Sequence, residues 1–393
     1  MYDEDYHTIN ILRMSILFYY PGRLYGGPDT GGTRRYKELM LSIAKKHHVT
    51  FYSHDYIEDV PKDIGIWKRI EIPHSGVFKK VPMGISVFFA NLILFWHLSK
   101  TQWDAVVLAD VPSATPFCLL NTKHIKLIIW QDLIACSNLR MRKEKGALYK
   151  NLYKLMLNVS ERICLAKAEQ IVVQCKYDLE QLVARHTGMR DNINKKSRIL
   201  INNINSTWAI TNLKSTKAND IYSKKSYCHI GFVGRFEKLK GYDILLKVVA
   251  SLLNEGRSVF LSLIGDGEDL VNAKETYKKY ENIKFYGRMN NPYEVITNCD
   301  LIVVPSRMDS CPNVISEALL AEIPVIASNV GGIPELLPIK DALFEPVEVD
   351  LYNKVKKLLD IAELDKLRNA ENQYSQSLRF DWDAQMERIF NIK

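Results

Sequence analysis

The chain lacks any apolar run of eighteen residues, any CxxC pair, any GxGxxG or Walker sequence, and any low-complexity or short-repeat segment. Each absence excludes a class. The stretch nearest to a membrane span, Gly84 to Leu98 (GISVFFANLILFWHL), has the length of a buried core helix and contains Asn91 and His97. The opening residues MYDEDYHTIN are acidic and polar and do not read as a secretory signal. Seven cysteines without metal-ligand spacing point to reduced thiols in a cytoplasmic compartment, not to a disulfide scaffold. Two Asp-x-Asp occurrences, Asp3–Asp5 and Asp381–Asp383, lie at the chain ends. The first reads as disordered and the second as a helix cap, so neither offers an inner Mg²⁺ site. No catalytic metal, no resident cofactor and no nucleic-acid partner are expected.

What is present is a long, mixed chain. At 393 residues it exceeds one ordinary core, so two domains are the default. Residues 1–205 hold 29 Lys and Arg against 19 Asp and Glu, a balance of +10; residues 206–393 hold 24 against 26, a balance of −2. A basic first half suits a phosphate-bearing partner or an anionic membrane surface; a solvated surface accounts for it as well. Lys79 and Lys80, before an apolar 87–98 helix, and Arg140, Arg142, Lys143, Lys145, Lys150 and Lys154 are the cations placed to meet such a surface.

Strand-like apolar runs alternate with helical patterns. They are Met14–Tyr20, Val49–Ser53, Ala105–Leu108, Lys126–Trp130 and Gln170–Gln174, then Cys228–Val233, Val259–Ile264, Ile283–Tyr286, Leu301–Val304 and Pro324–Ala327. Arg34–Lys46, Leu148–Lys167 and Tyr177–His186 read as helices between them. The βαβα rhythm predicts an α/β protein with two Rossmann-like, doubly wound parallel sheets. The expected division is 1–205, a polar turn-rich linker at 206–225, a second domain at 226–375, and a last amphipathic helix at 376–393 returning to the first domain.

The chemistry-bearing segments follow strands. In PSRMDSCPNVISEALLAEIPVIASNVGGIPE (Pro305–Glu335), Asp309 sits in a loop, Pro312 is placed to start a helix, and Glu317 follows eight residues after Asp309. Carboxylates and free helix N–H groups are expected to meet there at the carboxyl end of a parallel strand, where open α/β sheets bind ligands. In FVGRFEKLKGYDILL, Arg235 and Lys240 flank a turn beside Gly234 and Gly241, a planar fork and a point charge suited to a diphosphate. YYPGRLYGGPDTGGTRRYKELM places Gly31 and Gly32 at a strand-to-helix turn, where backbone can approach a ligand. LIGDGEDL and FYGRMNN add Gly265 and Gly287 after further strands. Taken singly, each is also an ordinary turn. His47 and His48 read as structural, and Cys175 and Cys311 lack a histidine partner in sequence, so nucleophilic catalysis is not expected.

Together these segments resemble the retaining glycosyltransferases of family 4, whose two Rossmann-like domains face a cleft (the GT-B fold). The resemblance rests on the Gly31–Leu39 segment, GRFxxxKG at Gly234–Gly241, GDG at Gly265–Gly267, the Gly287 loop, the acid-x7-Glu pair and GGIPE at Gly331–Glu335. It implies that Arg235 and Lys240 hold the donor diphosphate, Glu317 binds the ribose hydroxyls, and Asp309 contacts the donor sugar. Backbone near Asn313 and Val314 would meet phosphate or sugar, Gly31 and Gly32 would approach the diphosphate from the other domain, and the base would rest near Gly287, Arg288 and Met289. The implied reaction is metal-independent transfer from a UDP- or GDP-linked sugar to a glycan or lipid-linked acceptor in cell-envelope glycan synthesis, with the enzyme cytoplasmic and peripheral on the inner face of the membrane.

Three departures stand out. Asp309 replaces the family's usual Glu, an arm about 1.5 Å shorter. Gln131 stands where many members have His, followed by Asp132, and Gln cannot accept a proton as His can. Glu322 replaces a small residue before the Pro-Val-Ile strand and reads as surface variation. Two other readings remain: a non-catalytic nucleotide-sugar-binding subunit and a GT-B nucleotide-sugar 2-epimerase.

Overall fold

The computed structural model describes residues 13–20, 23–25, 31–62, 65–69, 92, 94–96, 98, 100–109, 111–120, 126–130, 147–203, 207–215 and 227–390. Gln131, Asp132, Lys79, Lys80, Arg140, Arg142, Lys143 and Lys145 lie outside them, as does most of the 87–98 segment. Of that segment, the described Phe95 is buried and packs edge-on against Tyr19 and Phe117, as a core element does.

Two wholly parallel sheets carry the fold. The first holds β1 (Ser15–Tyr19), β2 (His48–Ser53), β3 (Ile66–Arg69), β4 (Ala105–Leu108), β5 (Lys126–Trp130), β6 (Gln170–Val173) and β7 (Ser197–Ile199), in the order β3-β2-β1-β4-β5-β6-β7. The second holds β8 (Cys228–Val233), β9 (Val259–Ile264), β10 (Ile283–Gly287), β11 (Leu301–Val304), β12 (Val325–Ser328) and β13 (Leu343–Phe344), in the order β10-β9-β8-β11-β12-β13. The helices used below are α1 (Gly31–Ala44), α2 (Ala147–Lys167), α3 (Lys176–Arg185), α4 (Thr207–Ser215), α5 (Asn313–Leu320), α6 (Ile361–Ser377) and α7 (Trp382–Phe390).

Central strands such as AVVL and LIVV are buried along their whole length, because helices cover both faces of a parallel sheet. Along β1 the side chains alternate between two cores: Leu17 and Tyr19 enter one, Ile16 and Phe18 the other. Strands β3, β7 and β13 are absent from the sequence expectation. All three are edge strands, short and partly polar (IWKR, SRI, LF), so they form no apolar run.

The expected linker is corrected in part. Residues Thr207–Ser215 form α4, because Ala209 and Leu213, one turn apart, pack on the core of the second sheet. At the other end, Trp382, Met386 and Ile389 of α7 join the core of the first sheet. Lys45 reaches Asp383 at 2.6 Å, and Lys46 pairs with Glu387. Asp381 accepts from the Ala384 N–H at 3.0 Å and caps α7, as the sequence predicts.

Glu322 is not mere surface variation. It has φ 59°, the only non-glycine residue with positive φ among the described residues. It stands just past the C-terminus of α5, where its N–H donates to Leu319 (3.2 Å) and Ile323 N–H to Ala318 (3.0 Å). This is the left-handed helix stop that glycine fills without strain. Glu322→Gly is therefore expected to raise stability by about 1 kcal/mol, read by urea unfolding.

Glu371 on α6 is buried and accepts the Val325 N–H at 2.9 Å, tying α6 to β12. Burial pushes its carboxyl up from about 4.5 to about 8. The folded state thus holds a proton that the unfolded chain releases. The stabilisation is full below about pH 4.5 and is lost as pH rises through about 8. Glu371→Gln, which keeps an acceptor, is expected to match wild-type stability at pH 5 and to exceed it at pH 9 by at least about 1 kcal/mol.

Candidate active site

In each sheet the strand order reverses once, between β1 and β4 and between β8 and β11. Ligand crevices of doubly wound sheets open at such points, outside the carboxyl ends of the strands. In the second sheet the loops leaving those ends lie in backbone contact. Gly265 N–H donates to the Gly287 carbonyl at 2.8 Å, and Gly234 N–H to Ile264 at 3.0 Å. Gly241, at φ 68°, lies so close to the end of β11 that a Cβ there would stand 1.7 Å from the Pro305 carbonyl oxygen. That approach delivers Lys240 to the β11 loop.

Lys240 Nζ lies 2.6 Å from Asp309 Oδ2. Ser306 Oγ donates to the same oxygen at 3.3 Å, and Ser310 N–H donates to Oδ1 at 3.1 Å. The shorter Asp309 arm is therefore held by a cation and two hydrogen bonds, and the carboxylate is buried. Pro312, in extended conformation, then starts α5, whose first N–H groups, including those of Asn313 and Val314, have no side-chain cap. Glu317 follows eight residues after Asp309, in the second turn of α5, and is also buried.

Glu317 Oε1 accepts from Arg34 Nη1 at 2.6 Å. Arg34 belongs to α1, so the cation comes from the opposite half of the molecule. Tyr293 stands nearby; burial, reinforced by the Glu317 charge, pushes its hydroxyl above the usual tyrosine range. Asn313 also reaches across: its Nδ2 donates to the Gly31 carbonyl at 3.2 Å, and its Oδ1 accepts from Asn202. Asn202 donates further to the Cys311 carbonyl at 2.6 Å and accepts from the buried Arg35. Burial brings the Arg35 guanidinium down to about 10. Ser310 Oγ donates to Asp178 at 2.7 Å. Glu335 receives the N–H groups of Lys176 and Tyr177 at 2.7 Å each, so an acid of the second half caps α3 of the first.

The structure thus brings Lys240 to Asp309, and Gly31 to Asn313 beside Glu317. Gly32 is the next residue of α1, and Val314 is buried in the first turn of α5. Arg235, half-exposed, donates to Glu237 at 2.5 Å and does not join the Lys240–Asp309 pair. Arg288 is exposed, 3.6 Å from Asp266. Cys175 and Cys311 are buried, and burial pushes both thiols up, Cys311 to about 11, so neither is a ready thiolate. His47 accepts the Met14 N–H at 3.4 Å, a structural role. Among the described residues no three His, Cys, Asp or Glu side chains are grouped to hold a metal ion.

Sequence reading misses Arg34, Asn202, Asp178 and the capping role of Glu335. One signal is visible in hindsight. GGTRRY puts two arginines in the first turn of a helix, against its dipole, which asks for an anion nearby.

Residues 214–377 match the family Glycosyl transferases group 1. An uncharacterized 41.2 kDa protein in the cps region of Klebsiella pneumoniae is 30% identical over 307 residues, 75% of this chain and 79% of that one. The chain belongs to the group 1 glycosyltransferases. The O-antigen biosynthesis glycosyltransferase WbnH of Escherichia coli is 33% identical to it over 129 residues, 33% of this chain and 37% of the relative. The structure of Anabaena HepE in complex with UDP-glucose superposes with a TM-score of 0.68 at 16% identity, covering 96% of this chain and 98% of that one. The fold of this glycosyltransferase is GT-B.

Arg34 and Glu317 form a mostly buried pair between the halves of the enzyme. Arg34→Ala removes the cation and leaves an acid without it. The variant is expected to lose about 3 kcal/mol of stability without ligand. Melting curves read the loss.

Proposed function

We propose that this enzyme is a retaining, metal-independent glycosyltransferase of the family 4 type. It moves a sugar from a UDP- or GDP-linked donor to a hydroxyl of a lipid-linked or polysaccharide intermediate of cell-envelope glycan synthesis. It does so in the cytoplasm, at the inner face of the membrane. The observation that carries this reading is the Lys240–Asp309 pair, 2.6 Å apart at the end of β11, with Glu317 eight residues on and the start of α5 between. The setting is supported by the name of WbnH, an O-antigen biosynthesis enzyme, and the donor class by the UDP-glucose in HepE.

The chemistry follows from charge. The bond from the sugar anomeric carbon to the diphosphate oxygen breaks, and the diphosphate gains negative charge. In this reading Lys240 and Arg235, with the N–H groups opening α5, stabilise it. Before donor binds, Asp309 neutralises Lys240 and Arg34 neutralises Glu317. The donor exchanges these contacts for its own: phosphate on Lys240, sugar hydroxyls on Asp309, ribose hydroxyls on Glu317. The acceptor oxygen bonds to the anomeric carbon on the face the diphosphate leaves, and its proton passes to the departing phosphate oxygen. No side chain of the site needs to act as a covalent nucleophile.

Thermal melting with UDP, GDP, ADP and dTDP, each with and without Mg²⁺, is the direct test. One nucleotide is expected to stabilise the protein by about 2.7 kcal/mol at a hundred times its dissociation constant, equally without metal. No stabilisation by any of them would remove the donor assignment. Lys240→Ala and Arg235→Ala are each expected to lower turnover by about 10²–10³. Turnover within about twofold of wild type would remove that residue from the diphosphate site.

A further inference from the structure

The outer face of α2 carries an exposed apolar stripe. Leu152, Leu155, Met156 and Val159 are 58%, 61%, 48% and 48% exposed. Their spacing puts them on one side of the helix. Leu157, Cys164 and Leu165, on the other side, are buried. The helix is therefore apolar on two faces, and the protein's own core uses one of them. Single exposed hydrophobic residues need no explanation, but a contiguous stripe of four marks an interaction surface.

The charges beside the stripe are of one sign. Arg162, three residues after Val159, and Lys167, eleven after Met156, lie on the same side of the helix and are exposed. The only acid of α2, Glu161, is buried and bound to Arg185 at 2.8 Å and His186 at 2.7 Å, so the helix presents no exposed carboxylate. On the same layer, where Phe95 meets Phe117, Trp96 is half-exposed with Lys100 Nζ 3.7 Å from its ring centre.

We infer that this face docks on an anionic lipid bilayer. The four apolar side chains enter the headgroup boundary while Arg162 and Lys167 meet lipid phosphates. A second copy of the chain is the poorer occupant, since pairing two such faces opposes their cations with no exposed acid on α2 to answer them. Topology gives the placement a purpose. Helix α2 connects the adjacent parallel strands β5 and β6. It therefore starts at the carboxyl edge of the first sheet, the edge where that sheet's crevice opens. Leu152 lies five residues in, about 7.5 Å along the axis. Docking through this stripe holds the crevice close to the membrane surface, where an acceptor carried on a lipid, as proposed above, would be presented.

The test is co-sedimentation of the full chain with vesicles of phosphatidylcholine alone or mixed with phosphatidylglycerol, at low and high salt. Wild type is expected to pellet with the anionic vesicles at low salt and to stay in solution with the neutral ones. Replacing Leu152, Leu155, Met156 and Val159 together by Ser is expected to cut the bound fraction at least about tenfold. Arg162→Gln with Lys167→Gln is expected to weaken binding and flatten its salt dependence. Both variants should keep the wild-type melting temperature and nucleotide-induced shift, because the changed side chains lie outside the core and the site. Wild type that stays in solution, or a four-fold Ser variant that pellets like wild type, overturns the inference. So does a lipid-free dimer, seen by analytical ultracentrifugation, that the Ser variant abolishes. Lipid binding without any nucleotide shift would instead count against the donor reading and leave this surface standing.

Discussion

Charges and helix ends of each half of this protein are met by groups of the other half. Glu335 caps α3 with both carboxylate oxygens, Arg34 meets Glu317, Asn202 bridges to Cys311 and Asn313, and Ser310 meets Asp178. A buried polar group without its partner costs more than the net gain from a made hydrogen bond, so these contacts specify one arrangement of the two sheets. The seam is polar where a permanent subunit interface is apolar. Ser316 Oγ and Trp382 Nε1, which line a small cavity there with Arg34, Asn202 and Asn313, are buried without a protein hydrogen-bond partner. A seam of this kind holds its geometry yet can exchange contacts with a polar ligand.

The same polarity explains the state of the site. The side chains of the site are highly charged, and holding them near a low-dielectric interface without compensation is costly. The protein compensates them with each other: Lys240 with Asp309, and Glu317 with Arg34.

Much of the fold is legible along the chain. Buried parallel strands must be apolar throughout, so nearly every central strand shows as a run. The edge strands do not, because one side of β3, β7 and β13 has no neighbour to demand burial. The 207–215 segment looks like linker because, among the residues whose side chains are described, Ala209 and Leu213 are the two claimed by a core. Glu322 looks like surface variation because side-chain chemistry carries no record of φ. The strand-to-loop placement of Lys240, Asp309 and Glu317 is legible, since a glycine turn, a proline and a spacing of eight each leave a local mark. Arg34 is not. Its partner lies 283 residues away, and no local rule connects them.

The sequence by itself determined that two doubly wound parallel sheets form, and that acids, cations and glycines collect at strand ends in the second. Those are consequences of hydrophobic period and backbone freedom, which act over a few residues. Only the tertiary structure decided which charges face each other, which helix of one half is capped by the other, and which apolar stripe remains outside the core. Those outcomes depend on how two folded halves meet, and burial and Coulomb energy are set by distances that no single segment contains.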